Sequence, residues 1–322
     1  MKLKEPFALV LTVCCALATA NPAYAGLAAK LKEKSHDAGT FDLTADPATQ
    51  AKTYVDVTKL TALKGLKRVV ISSFQIEFAV ENSASSWASA MGKSAATAKS
   101  DVLLIGVENP TFQKITDDMY DKLVADLTAA GIEVLPYETL QGNENFLIFK
   151  SRLHPTAEKV TTQDGKSLYF SPHNMPAYFL NNDKRLGMLS LLSVGMTATH
   201  PQNYEPAIAK DLDAAVLRVR MVVDIAKQAT SGGMFAASAK VSTKIGLSIM
   251  AEFTTYTLVT PHSGTAVLAL DKHMNSAEQV FDVQGTKGEI VLFTTPEVYT
   301  RIVDAHLGAT QAMFLSVLKA NL

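Results

Sequence analysis

Residues 241–253 alternate with a period of two. Val241, Thr243, Ile245, Leu247, Ile249, Ala251 and Phe253 hold the odd positions, with Ser242, Lys244, Ser248 and Glu252 among the even ones. A helix would scatter this pattern around its circumference, whereas a strand gathers it onto one face. The same alternation runs through residues 216–225. There Leu217, Val219, Met221, Val223 and Ile225 oppose Arg218, Arg220 and Asp224. It recurs at 68–81, where Val70, Phe74, Ile76, Phe78 and Val80 oppose Ser73, Gln75, Glu77 and Glu81. Three long strands of this kind require a sheet with one covered face. A turn at 261–264, Pro-His-Ser-Gly, sends the chain back as a partner strand at 265–270.

Two helices can supply the cover. Ile115, Met119, Leu123 and Leu127 recur every four residues, flanked by Tyr120 and Val124, and Gly131 stands where a left-handed residue ends a helix. Near the C-terminus Thr295 can cap and Pro296 can open a helix whose apolar stripe is Tyr299, Val303, Leu307, Phe314 and Leu318. Shorter strands are expected at 102–105, 132–135, 168–170, 188–194, 280–283 and 289–293, and a further helix at 204–212. The Ser/Ala-rich tract 82–100 reads as a loop, as do residues 42–50 within a polar lead-in at 26–66. The expected architecture is α/β (α+β): a mixed sheet with long alternating antiparallel strands and amphipathic helices on one face. It forms a single globular domain over 67–322. Turn signals between His154 and Pro176 mark 150–205 as a candidate sub-domain.

The first 25 residues read as a secretory signal peptide. Lys2 and Lys4 give the basic start, residues 7–18 the apolar run, and Ala23-Tyr24-Ala25 a cleavage pattern that places the cut between Ala25 and Gly26. The expected location is the periplasm or the exterior. Cys14 and Cys15, the chain's two cysteines, both fall in this leader, and Val13 before Cys14 does not suit lipidation. The mature chain would then be cysteine-free, without disulfides or thiolate chemistry. Apolar residues make up 48% of the chain, ample for an ordinary core. A net charge of −1 supplies neither a nucleic-acid footprint nor a polybasic membrane patch. No apolar run after the leader approaches the length of a transmembrane helix.

Motifs of catalysis fail on spacing. Gly92-Lys93-Ser94 and Gly165-Lys166-Ser167 lack the glycine five residues upstream that a phosphate loop needs, since Trp87 and Val160 stand there, and both read as loops. There is no G-x-S-x-G elbow and no H-E-x-x-H. Seven histidines are scattered, with no two on one helix face at ligand spacing. His173-Asn174-Met175 and His273-Met274 combine imidazole and thioether but read better as loop histidines beside packing methionines. A Ser–His–Asp site assembled across the fold stays open. No catalytic residue, cofactor or metal ligand is assigned. Arg218 and Arg220 present guanidinium groups either to an anionic partner or to a cross-strand ion pair on a solvated face. Trp87, the sole tryptophan, is either a contact residue or packs onto the sheet.

The order of elements resembles the periplasmic part of the curli secretion-channel lipoprotein family and related anticodon-binding-like envelope domains. The resemblance is carried by the strand from Arg68 to Val80, by the helix from Thr116 to Gly131 leading into Ile132-Glu133-Val134-Leu135, by Asp213-Ala214-Ala215-Val216 opening a strand, and by the strand–turn–strand over 251–270. It covers about half of the chain that follows the leader. The chain departs from the family in lacking a lipidated cysteine. What the resemblance implies is an α/β sandwich that binds partners in envelope assembly, with self-association open. Residues 212–227 and 241–253 also alternate over the length a barrel strand requires. The expected function is that of an exported, non-enzymatic binding or assembly protein with envelope proteins as partners. The alternatives are an oligomeric outer-membrane secretion component and a periplasmic hydrolase or small-ligand carrier.

Overall fold

The computed structural model describes residues 39–89, 96–151, 159–162, 165–175, 203–231, 238–286 and 288–322. Its first half runs α1 (Pro47–Tyr54), β1 (Val55–Thr58), β2 (Arg68–Ala88), β3 (Ala96–Ile105), α2 (Asn109–Ala129), β4 (Glu133–Leu135), α3 (Glu138–Gln141), α4 (Glu144–Ser151), β5 (Lys159–Thr162) and β6 (Gly165–Phe170). The second half runs α5 (Glu205–Leu212), β7 (Ala215–Ser231), β8 (Lys240–Ile249), β9 (Thr255–Thr260), β10 (Gly264–Leu270), β11 (Met274–Asn275), β12 (Asp282–Thr286), β13 (Glu289–Phe293) and α6 (Pro296–Lys319).

These strands form one mixed sheet, so the fold is α+β. Its main path is β1-β10-β9-β7-β2-β3-β13-β12; β4 and β6 also pair β2, and β8 also pairs β7. The centre is the parallel junction of β2 and β7, paired from Val69 opposite Ala215 to Phe78 opposite Val223 with a register shift between Ile71 and Ser73. The two long helices lie on one face, where aromatic side chains of both meet the sheet. Phe74 meets Tyr120 of α2 at 5.6 Å, Phe78 meets Phe112 at 4.7 Å, and Tyr256 meets Phe314 of α6 at 4.6 Å between ring centroids. Aromatic pairs at such spacings add to the area they bury. Local chemistry sets the helix ends. The Thr295 hydroxyl accepts from the Val298 N–H, Pro296 sits in the first turn, and Gly131 follows α2 at φ 80°.

Several expectations are corrected. The Ser/Ala tract is not simply a loop: β2 runs on to Ala88 and β3 begins at Ala96, paired from Glu81 opposite Leu103 to Ala88 opposite Ala96. Small side chains carry little strand propensity, but an adjoining ladder overrides it. Residues 42–50 are not all loop, because Asp46 caps α1 by accepting from the Thr49 N–H and Pro47 opens it. The strand expected over 241–253 stops at Ile249, and Ala251–Phe253 form a 3-10 turn. The strand expected at 280–283 instead occupies Asp282–Thr286. The strand expected at 188–194 lies outside the described residues.

The largest correction concerns the polar faces of β2 and β7. Gln75, Glu77, Arg218 and Asp224 are all buried. The helix α5 lies against β7 and brings Glu205 to Arg218, covering that part of the face. Among the described residues no helix is long and apolar enough to cross a membrane.

Candidate functional site: the seam between two strand pairs

Beyond Phe78 and Val223, β2 and β7 stop pairing with each other. β2 continues with β3, and β7 continues with β8 from Val223 opposite Ile249 to Ser231 opposite Lys240. Irregularities fall at the parting, between Ala79 and Glu81 where β2 meets β6 and between Asp224 and Ala226 where β7 meets β8. An extra residue bends a strand and sharpens its twist, which turns each pair away from the shared ladder. The result is two arms, β2–β3 and β7–β8, leaving one core.

Side chains take over where the ladder ends. Asn82 Nδ2 donates to Asp224 Oδ1 and to the Ala226 carbonyl, both at 2.7 Å. Ser86 Oγ donates to the Ser231 carbonyl at 2.6 Å, and Gln228 Nε2 to the Ser100 carbonyl at 2.9 Å. Ser100 Oγ and Thr243 Oγ1 share a hydrogen bond at 2.9 Å. Between the arms lies a cavity of about 440 Å³, lined among others by Asn82, Ser83, Asp224, Gln228 and His273. Asn82 and Asp224 are 3% and 7% exposed.

Farther out the arms are open to solvent. Ser85, Trp87, Thr97 and Lys99 are exposed on the first, and Lys227, Ala229, Ser242 and Lys244 on the second. Trp87 is 51% exposed and sits opposite Thr97.

Arg218 and Arg220 are drawn inward. Arg218 Nε lies 2.7 Å from Glu205, and Arg220 Nη2 lies 2.8 Å from Glu77 Oε2. Burial pushes the Glu205 carboxyl above the usual carboxylate range, and the adjacent Arg218 charge opposes that shift. Of the two sequence readings, the cross-strand ion pair describes Arg220, though on a buried face. Arg218 finds its carboxylate on a helix instead. Trp87 lies on the arm, remote in sequence from both.

Gly165-Lys166-Ser167 opens the strand β6 rather than a loop; Lys166 pairs with Glu81, and Ser167 is buried. Gly92-Lys93-Ser94 and the expected cleavage pair Ala25 and Gly26 lie outside the described residues. His173 pairs with Asp117 while Met175 packs in the core. His273 Nδ1 accepts from the Ala251 N–H at 3.1 Å. Among the described residues no three His, Cys, Asp or Glu side chains converge as a metal site.

Sequence reasoning did not find the Asn82–Asp224 contact. The one signal was Asp224, a lone polar residue inside the apolar run 221–226; Asn82, between Glu81 and Ser83, gave none. No protein-family model matches this chain, and no curated protein or solved structure is significantly similar to it.

Proposed function

We propose that this chain is an exported, non-enzymatic binding or assembly protein of the cell envelope, and that the two strand arms are its working surface. The observation that carries this reading is the parting of β2 and β7 into two strand pairs with polar, small and exposed side chains. Unpaired strand edges are ready templates for another chain, and an exposed tryptophan is a common contact residue. The charged side chains nearest the sheet centre support the same reading, since Arg218 and Arg220 are committed to internal carboxylates. The secretory leader and the resemblance to envelope secretion proteins supply the compartment.

A photo-activatable cross-linker replacing Trp87 tests this in the producing cell. Adducts with an envelope protein or a second copy are expected there, and none from the same group at exposed Lys52 on α1. A leader-processed protein that stays monomeric and forms no Trp87 adduct overturns the proposal.

One observation favours a second reading, a membrane-inserted secretion component. β8 is 10 residues long and alternates half-buried Val241, Thr243 and Ile245 with exposed Ser242 and Lys244. That is the length of a barrel strand. Extraction only by detergent, with a large native mass, would favour it over the soluble form.

A further inference from the structure

We infer that the cavity between the arms binds the ammonium group of a small organic amine. Two acceptors at the seam set the chemistry of the ligand. Asp224 is buried, and its Oδ1 accepts from Asn82 Nδ2 at 2.7 Å and from the Ile225 N–H at 2.9 Å. Both donors are neutral, and no cation pairs with Asp224 among the described residues. A carboxylate taken from water normally acquires a cationic partner.

The second acceptor is Asn82 Oδ1, which is buried and has no hydrogen-bond partner among the described residues. Rotating the amide does not remedy this. The two groups that Nδ2 now serves, Asp224 Oδ1 and the Ala226 carbonyl, are both acceptors and need the NH₂ where it is. The seam therefore holds a buried carboxylate without a cationic partner and an orphaned carbonyl oxygen, on two residues that line the same cavity.

Ligand chemistry follows by matching. An ammonium group has donors only and carries the missing charge. An anion would meet Asp224. A tightly held metal ion would need more anionic or imidazole ligands than converge here. The volume of about 440 Å³ is that of a small-molecule site. Ser83, Gln228 and Ser248 add neutral polar lining for the rest of the molecule.

The test is an NMR titration of the purified protein with ethylammonium, tetramethylammonium, ethanol and acetate. Ethylammonium is expected to shift the amide resonances of Asn82, Ile225 and Ala226 saturably. Tetramethylammonium has the charge but no N–H donor and should leave them in place, as should ethanol and acetate. Asp224→Asn keeps an acceptor for Asn82 and Ile225, and should weaken ethylammonium binding at least tenfold without lowering the melting temperature. Absence of saturable shifts, or equal shifts with tetramethylammonium, overturns the inference. So does undiminished binding by folded Asp224→Asn. If that variant does not fold, the wild-type ligand panel decides alone. Failure here leaves the assembly proposal standing, because that is read from Trp87 adducts in the cell.

Discussion

Arg220 on β7 reaches Glu77 on β2 across the parallel junction, 2.8 Å between Nη2 and Oε2, with Glu77 wholly buried. The guanidinium also lies 5.3 Å from the centroid of the Phe253 ring. Removing the guanidinium takes a cation at 2.8 Å away from a wholly buried carboxylate. Arg220→Met is therefore expected to cost about 3–5 kcal/mol in urea unfolding. The double variant Glu77→Leu/Arg220→Met should recover most of that loss. A double variant as unstable as the single would show that the pair acts through something other than its charges.

Asp304 on α6 gives the protein a pH-dependent stability. Its carboxyl is pushed up to about 6 from 3.8, by burial first and then by the like charge of Asp118, against the opposing pull of Lys114. The folded state thus holds this proton more tightly than the unfolded one. The stabilisation is complete below about pH 4 and is lost as the pH rises through about 6. Because the group is only partly buried, the effect is discounted to about 1 kcal/mol. Asp304→Asn should flatten this part of the melting profile between pH 5 and 7.5 and raise the melting temperature at the upper end. An unchanged profile would refute it.

Gly165 opens β6 at φ 143°, and a Cβ built there would stand 1.7 Å from the Glu81 carbonyl oxygen. Both the backbone region and the space exclude a side chain. Gly165→Ala should cost about 2–4 kcal/mol and loosen β6 from β2, seen as faster amide exchange over 166–170. Full retention of stability would mean that β6 can shift without penalty.

Trp87 is the chain's only tryptophan, so its fluorescence reports on the first arm alone. At 51% exposure its emission should be that of a wet indole in the monomer, and it should move to the blue when the arms are covered. Trp87→Ala should change unfolding stability by less than about 0.5 kcal/mol while lowering the native mass of any assembly. A large stability loss would make Trp87 a packing residue instead.

The alternation over 68–81 and 216–225 located the two central strands, and the stripes of Ile115–Leu127 and Tyr299–Leu318 located the helices that cover them. Periodicity counts faces but does not say what lies over each. Arg218 and Arg220 read alike as polar positions, yet Glu205 on a helix closes over one and Glu77 on a strand meets the other, 143 positions away. The seam was hidden for the same reason. Asn82 and Asp224 form no local motif and meet only because two distant strands lie side by side. In the Ser/Ala tract the error was of another kind: low intrinsic propensity at Ser83–Ser86 gave way to pairing with 98–101.

The parallel junction has a consequence for the order of events in folding. Ser72 donates to the carbonyl of Leu217, 145 positions later in the chain. A polypeptide delivered from its N-terminus presents β2 long before β7 exists to receive it, whether it leaves a ribosome or a translocation pore. Until then Phe74, Ile76 and Phe78 lack the neighbour that completes their half of the sheet, and a contact so remote in sequence is slow to close. The nascent chain must wait, unfinished and sticky, for its own far end, so a holding chaperone should matter more to its yield than to that of a chain built from local contacts.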